Sequence, residues 1–109
     1  MKAVDYRHSW STDKSTEEEM EEKFGKLLHE TDTADAWEVA ESKLFQKDDN
    51  TFFWLQANGC SCWDGDYDGW QLTRLQLIKL GKKRAKDEDG YHGADHEKLM
   101  GIWITDNIK

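Results

Sequence analysis

The stretch TFFWLQANGCSCWDG at residues 51–65 constrains the fold more than any other part of the chain. It is dense in aromatic residues and is interrupted by Asn58-Gly59, a pair that favours two-residue hairpin turns because a type I′ turn needs positive φ at both central positions. Read as a hairpin over 51–64 turning at Asn58-Gly59, it has a fixed register. Ala57 faces Cys60, Leu55 faces Cys62 and Phe53 faces Asp64; on the other face Trp54 lies opposite Trp63 and Gln56 opposite Ser61. A cross-strand tryptophan pair adds about 0.5–1.5 kcal/mol beyond burial. Apolar groups then lie on both faces, so this ribbon is expected to be covered on both sides.

Helices are expected on either side of it. Ser15 followed by Glu18 has the spacing of a capping box, and Glu17, Glu18 and Glu19 fill a first turn where the helix dipole favours negative charge. Met20, Phe24, Leu27 and Leu28 recur at helical spacing, which predicts a helix over 16–29. Ala36, Trp37, Ala40 and Leu44 predict a second over 34–46, ended by a turn at Lys47–Asn50. Thr73 is a natural N-cap with Leu72 and Leu77 as its hydrophobic staple, so a short helix is expected over 74–80, stopped by Gly81. A strand over 70–78 is the alternative reading. The run LMGIWIT predicts a C-terminal strand over 99–105. Together these give an α+β domain at 15–109, a small antiparallel sheet covered by helices, preceded by a polar arm at 1–14 that is either a short strand or loosely held.

With 109 residues there is room for one core only, and six Trp, four Phe and three Tyr argue that it is packed. No apolar run approaches the roughly 18 residues of a membrane helix, and the first residues lack the pattern of an export signal. A cytoplasmic protein with reduced Cys60 and Cys62 is therefore expected, with no membrane partner. The net charge is −8, most of it in residues 1–50, which disfavours direct nucleic-acid binding. The basic cluster Lys79, Lys82, Lys83, Arg84 and Lys86 is followed at once by Asp87, Glu88 and Asp89; it reads as a helix end, solvated or paired with the acidic helix 16–29.

Two groups of residues have the chemistry of metal ligands, although no cofactor is expected. Asp64, Asp66 and Asp68 in DGDYDG match the first half of a calcium loop, where alternating carboxylates converge on a hard cation. Leu75 stands where the bidentate Glu of an EF-hand belongs, so the competing reading is an acidic turn. Cys60, Cys62, His92 and His96 form a Cys2His2 set suited to zinc, against which stand the tight C-x-C spacing and the role of free cysteine as a small core residue. No nucleophile elbow, phosphate loop or dinucleotide fingerprint is present, and the chain is not expected to be an enzyme.

The segment GCSCWDGDYDGW, with the preceding W-x-V-A-E-x-x-L-F at Trp37–Phe45, resembles short uncharacterised proteins of tailed bacteriophages and prophages. The resemblance spans roughly residues 37–80. It implies a viral accessory protein that binds a host or phage macromolecule, in the host cytoplasm, and implies no activity or site residues. The leading expectation is accordingly a non-enzymatic binding or inhibitor protein that presents Glu17, Glu18, Glu21 and Glu22, which lie away from the Met20–Phe24–Leu27 stripe. The alternatives are a small metal-binding domain, or a self-associating structural protein with Trp54 and Trp63 exposed at a homo-oligomer interface.

Overall fold

The computed structural model describes residues 1–7, 15–33, 38–60, 65–86 and 95–109. Five strands and three helices follow in the order β1 (Lys2–Tyr6), α1 (Thr16–Phe24), β2 (Lys26–Asp32), β3 (Glu38–Asp48), β4 (Thr51–Cys60), β5 (Tyr67–Leu72), α2 (Arg74–Ala85) and α3 (Asp95–Asn107). The strands form one antiparallel sheet in the order β1-β5-β4-β3-β2. This is the expected α+β class with different contents: β3 and β4 are its long central pair, and β1 is an edge strand at the start of the expected polar arm.

The period of two sorts the side chains cleanly. On one face Tyr6, Phe45, Phe53, Leu55, Ala57 and Tyr67 pack with Met20 and Phe24 of α1. On the other, Leu44, Phe52, Trp54 and Leu72 pack with Leu77 of α2 and Met100 and Ile104 of α3. Aromatic edges lock both layers: Phe24 sits 4.9 Å from Phe53 between ring centroids, and Trp54 meets Trp70 edge-on at 6.2 Å. Of the ribbon 51–64 expected to be covered on both faces, 52–57 is buried, Asn58 and Gly59 are exposed and 61–64 lie outside the described residues; the partner of Trp54 is Trp70 of β5 and not Trp63.

Several expected elements are corrected. The helix from residue 16 has the expected start, with the Ser15 hydroxyl accepting from the Glu18 N–H at 3.2 Å. It ends at Phe24 and not at 29, because Gly25 adopts φ +97° and a Cβ there would meet the Gln46 carbonyl at 2.3 Å. Leu27 and Leu28 thereby become strand residues, packed on opposite faces around a bulge. The expected helix over 34–46 is strand from residue 38 onward, and 34–37 lie outside the described residues. Its Ala, Glu, Lys and Leu have high helix propensity, but a central position between β2 and β4 overrides it.

Asn58-Gly59 is not a turn either. Both residues are in β4, opposite Ala40 and Val39, and neither has positive φ. The turn of the long hairpin is at Asp49-Asn50, where the Asp48 carboxylate accepts from the Asn50 N–H at 3.0 Å. That bond holds the Asp48 carboxyl below its ordinary pKa. The hairpin 51–64 and its pairing of Ala57 with Cys60 are therefore replaced by β3–β4, with Leu44 opposite Trp54 and Ala57 opposite Glu41.

At the C-terminus, the expected strand over 99–105 is α3. The apolar pattern that decides this is His96, Met100, Ile104 and Ile108, all buried at intervals of four, and not the local β propensity of GIWIT. The helix at 74 has the expected Thr73 cap and a Gln76 that completes a capping box, but it runs through Gly81 to Ala85. Gly81 faces α3 closely: a Cβ on it would meet Ile104 at 2.7 Å, and one on Gly101 would meet the Gly81 carbonyl at 2.6 Å.

This crossing yields a prediction with a definite sign. In an exposed helix interior Gly→Ala stabilises by about 1 kcal/mol. Gly101→Ala should instead destabilise by about 1–3 kcal/mol in urea denaturation, because backbone and not a flexible side chain blocks the new methyl group.

Candidate functional site

One row of the sheet is polar across all five strands. Asp5 pairs with Asp68, Asp68 with Gln56, Gln56 with Ser42, and Ser42 with Thr31. Strand alternation puts all five on the face that α2 and α3 cover, one step beyond the apolar row of Trp70, Trp54 and Leu44. Burial falls along this row: Ser42 is inaccessible, Gln56 is 6% exposed, and Asp68 and Asp5 are open to solvent.

The buried end is closed by His96 in the first turn of α3, which is wholly buried. Its Nδ1 lies 2.6 Å from the Ser42 hydroxyl and its Nε2 2.9 Å from the Asn58 side-chain oxygen. An amide oxygen only accepts, so Nε2 donates to Asn58, and Nδ1 shares a hydrogen bond with the Ser42 hydroxyl. Thr31 adds a bond from its hydroxyl to the His96 carbonyl at 2.8 Å. Serine beside imidazole is the arrangement of a nucleophile with its base. Here the hydroxyl is inaccessible, and what the trio does in this conformation is fasten α3 to β2, β3 and β4.

The open end forms a cleft of about 490 Å³ lined by Asp5, Arg7, Gln56, Asn58, Asp66 and Asp68. A smaller cavity of about 180 Å³ beside it shares Asp5, Gln56 and Asp68. The Gln56 side-chain nitrogen is buried and meets no acceptor among the described residues.

On the opposite face, polar groups reach into the α1 layer in pairs. The Tyr6 hydroxyl donates to Glu19 at 2.6 Å, the Tyr67 hydroxyl donates to Glu41, and Lys43, only 6% exposed, bonds Glu30 at 2.7 Å. Burial, and then the bond to Glu41 and its charge, push the Tyr67 phenol well above its ordinary pKa. Burial and then Glu19 do the same to Tyr6.

The sequence candidates are dispersed over this frame. Glu17, Glu18, Glu21 and Glu22 are exposed on α1, as expected. Of the calcium set, Asp66 and Asp68 reach the cleft and Asp64 lies outside the described residues. Of the zinc set, Cys60 ends β4, Cys62 and His92 lie outside the described residues, and His96 already uses both ring nitrogens. Among the described residues no three His, Cys, Asp or Glu side chains group as metal ligands. Trp54 is fully buried, which removes it from the expected oligomer interface; Trp63 lies outside the described residues. In the basic cluster, Arg84 reaches Glu97 of α3 at 3.5 Å, and Lys79, Lys82, Lys83 and Lys86 are exposed. α1 is on the other side of the sheet, so the expected pairing with that helix is replaced by the Arg84 contact. No helix among the described residues is long and apolar enough to cross a membrane.

Sequence reasoning missed Asp5, Gln56, Ser42 and Asn58. The signal that could have found Gln56, Ser42 and Asn58 is alternation in β3 and β4, where they share one side, and it was hidden by the helical reading of 34–46; Asp5 joins them only through the pairing of β1 with β5. No protein-family model matches the chain, and comparison with curated proteins and with solved structures gives no match.

Two predictions follow from these networks. Ser42→Ala removes the partner of His96 Nδ1 and should cost about 1–3 kcal/mol in denaturant unfolding. Thr105→Ala, on the exposed side of α3, should cost less than about 0.5 kcal/mol. Separately, the two buried phenols keep their protons to higher pH in the folded protein than in the unfolded chain, where tyrosine ionises near pH 10.0. Their contribution is thus complete below that pH and is lost as pH rises above it, since the unfolded chain then binds fewer protons. The urea midpoint should decline above about pH 10, and Tyr67→Phe should flatten that decline.

Proposed function

We propose that the protein is a non-enzymatic binding protein that uses the outer face of α1 against a basic macromolecular surface. The observation that carries this reading is the outward presentation of Glu17, Glu18, Glu21 and Glu22 on one helix. All four are exposed, while Met20 and Phe24 of the same helix are 0% and 6% exposed and pin it to the sheet. The Ser15 cap and the Tyr6–Glu19 bond hold the helix at both its start and its side. A fixed cluster of one sign raises encounter rates and selects a complementary partner more than it adds affinity.

On this reading the partner is a positively charged protein surface such as a nucleic-acid groove, which the acidic helix occupies in place of phosphates. The resemblance of residues 37–80 to phage proteins supports a phage-encoded accessory or inhibitor protein working in the host cytoplasm. The test replaces all four glutamates by glutamine, which removes charge but keeps the helix. Cross-linking in a bacterial lysate at low salt should capture a basic protein with the parent chain and lose it with the variant. Capture of the same proteins by a folded variant would overturn the reading.

A further inference from the structure

We propose that the cleft between β1, β5 and β4 binds an organic cation, a guanidinium or alkylammonium group with a carbonyl acceptor beside it. Asp5 and Asp68 are direct cross-strand partners on the same face. Like charges so placed oppose pairing, and a cation between them relieves that opposition. Against these two carboxylates Arg7 is the one guanidinium among the described lining residues. The electrostatic balance therefore selects a positive ligand.

Gln56 supplies the second, independent observation. It is 6% exposed, it lines both the main cleft and the cavity beside it, and its side-chain nitrogen has no acceptor among the described residues. A buried donor left in this state is costly, and a turn of the Gln56 side chain into the cleft lets a ligand carbonyl accept from it and recover the loss. A bare ion offers no such acceptor. The volume of about 490 Å³ also suits a ligand of amino-acid size or larger, and the acids of the described residues form no three-ligand metal group. A planar guanidinium matches a carboxylate through two parallel bonds, so it is the preferred head group. The ligand class rests on residues separate from those of α1 and stands apart from the function proposed above.

The probe is N-acetyl-L-argininamide, titrated into the ¹⁵N-labelled protein and followed by amide chemical shifts. Saturable shifts are expected at Asp5, Gln56 and Asp68 and at the Gln56 side-chain amide. N-acetyl-L-citrullinamide, which carries a neutral urea in place of the guanidinium, should bind at least about tenfold more weakly. Asp68→Asn and Asp5→Asn replace exposed residues, and each should weaken the arginine probe by a similar factor, with resonances of α2 and α3 unmoved as the check on folding. Equal response to the two probes, undiminished binding in both variants, or no shift up to about 20 mM probe would each overturn the proposal. So would shifts of the same residues by calcium chloride and not by the arginine probe.

Discussion

The antiparallel pairing of β3 with β4 is the interaction on which the remaining structure depends. It runs from Glu38 opposite Cys60 to Asp48 opposite Thr51, and through its middle both strands bury side chains on both faces. Leu44, Phe45, Phe52, Phe53, Trp54 and Leu55 form a double-sided apolar slab. Each such side chain contributes about 1.5–3 kcal/mol when removed from water, but only if both sides are covered. That condition places α1 on one face and α2 with α3 on the other. Burial there makes an unaccompanied polar group costly, and Lys43 meets Glu30 and Ser42 meets His96 beside it.

The polar row next to this slab changes character as it crosses the sheet. At the β2–β3 side its members are enclosed and bonded to α3; at the β5–β1 side they face solvent as carboxylates. The same register thus does two things. It anchors a helix where the row is buried, and it gathers negative charge around an amide donor where the row is open. The acidic face of α1 lies on the opposite side of the sheet, so the molecule carries two separate negative features, one convex and one concave.

The parts of the fold that could be read in the sequence are those set by local chemistry. Ser15 and Thr73 start helices because their side chains satisfy backbone donors within three residues, and no distant contact is needed. The double-sided apolar character of 52–55 was equally visible. What misled was any pattern whose meaning depends on partners far along the chain. Ala40 and Leu44 are a helical pair by spacing and strand neighbours in fact, since burial against β4 decides between them. Asn58-Gly59 has the composition of a turn, yet β3 supplies it with an extended partner. The cleft was illegible for the same reason: Asp5 and Asp68 are 63 positions apart in sequence and meet only through the order of the strands.

That strand order also bears on how the molecule assembles. The hairpin β3–β4 closes through a two-residue turn, and β5 joins it after a short connection, so these pairings are local. β1 is different: it must wait for β5, far along the chain, before it finds a partner. Closing so long a loop costs entropy that its few apolar contacts do little to offset until the sheet exists. The N-terminal strand should therefore dock late in folding, and the walls of the cleft should come together only in that last step.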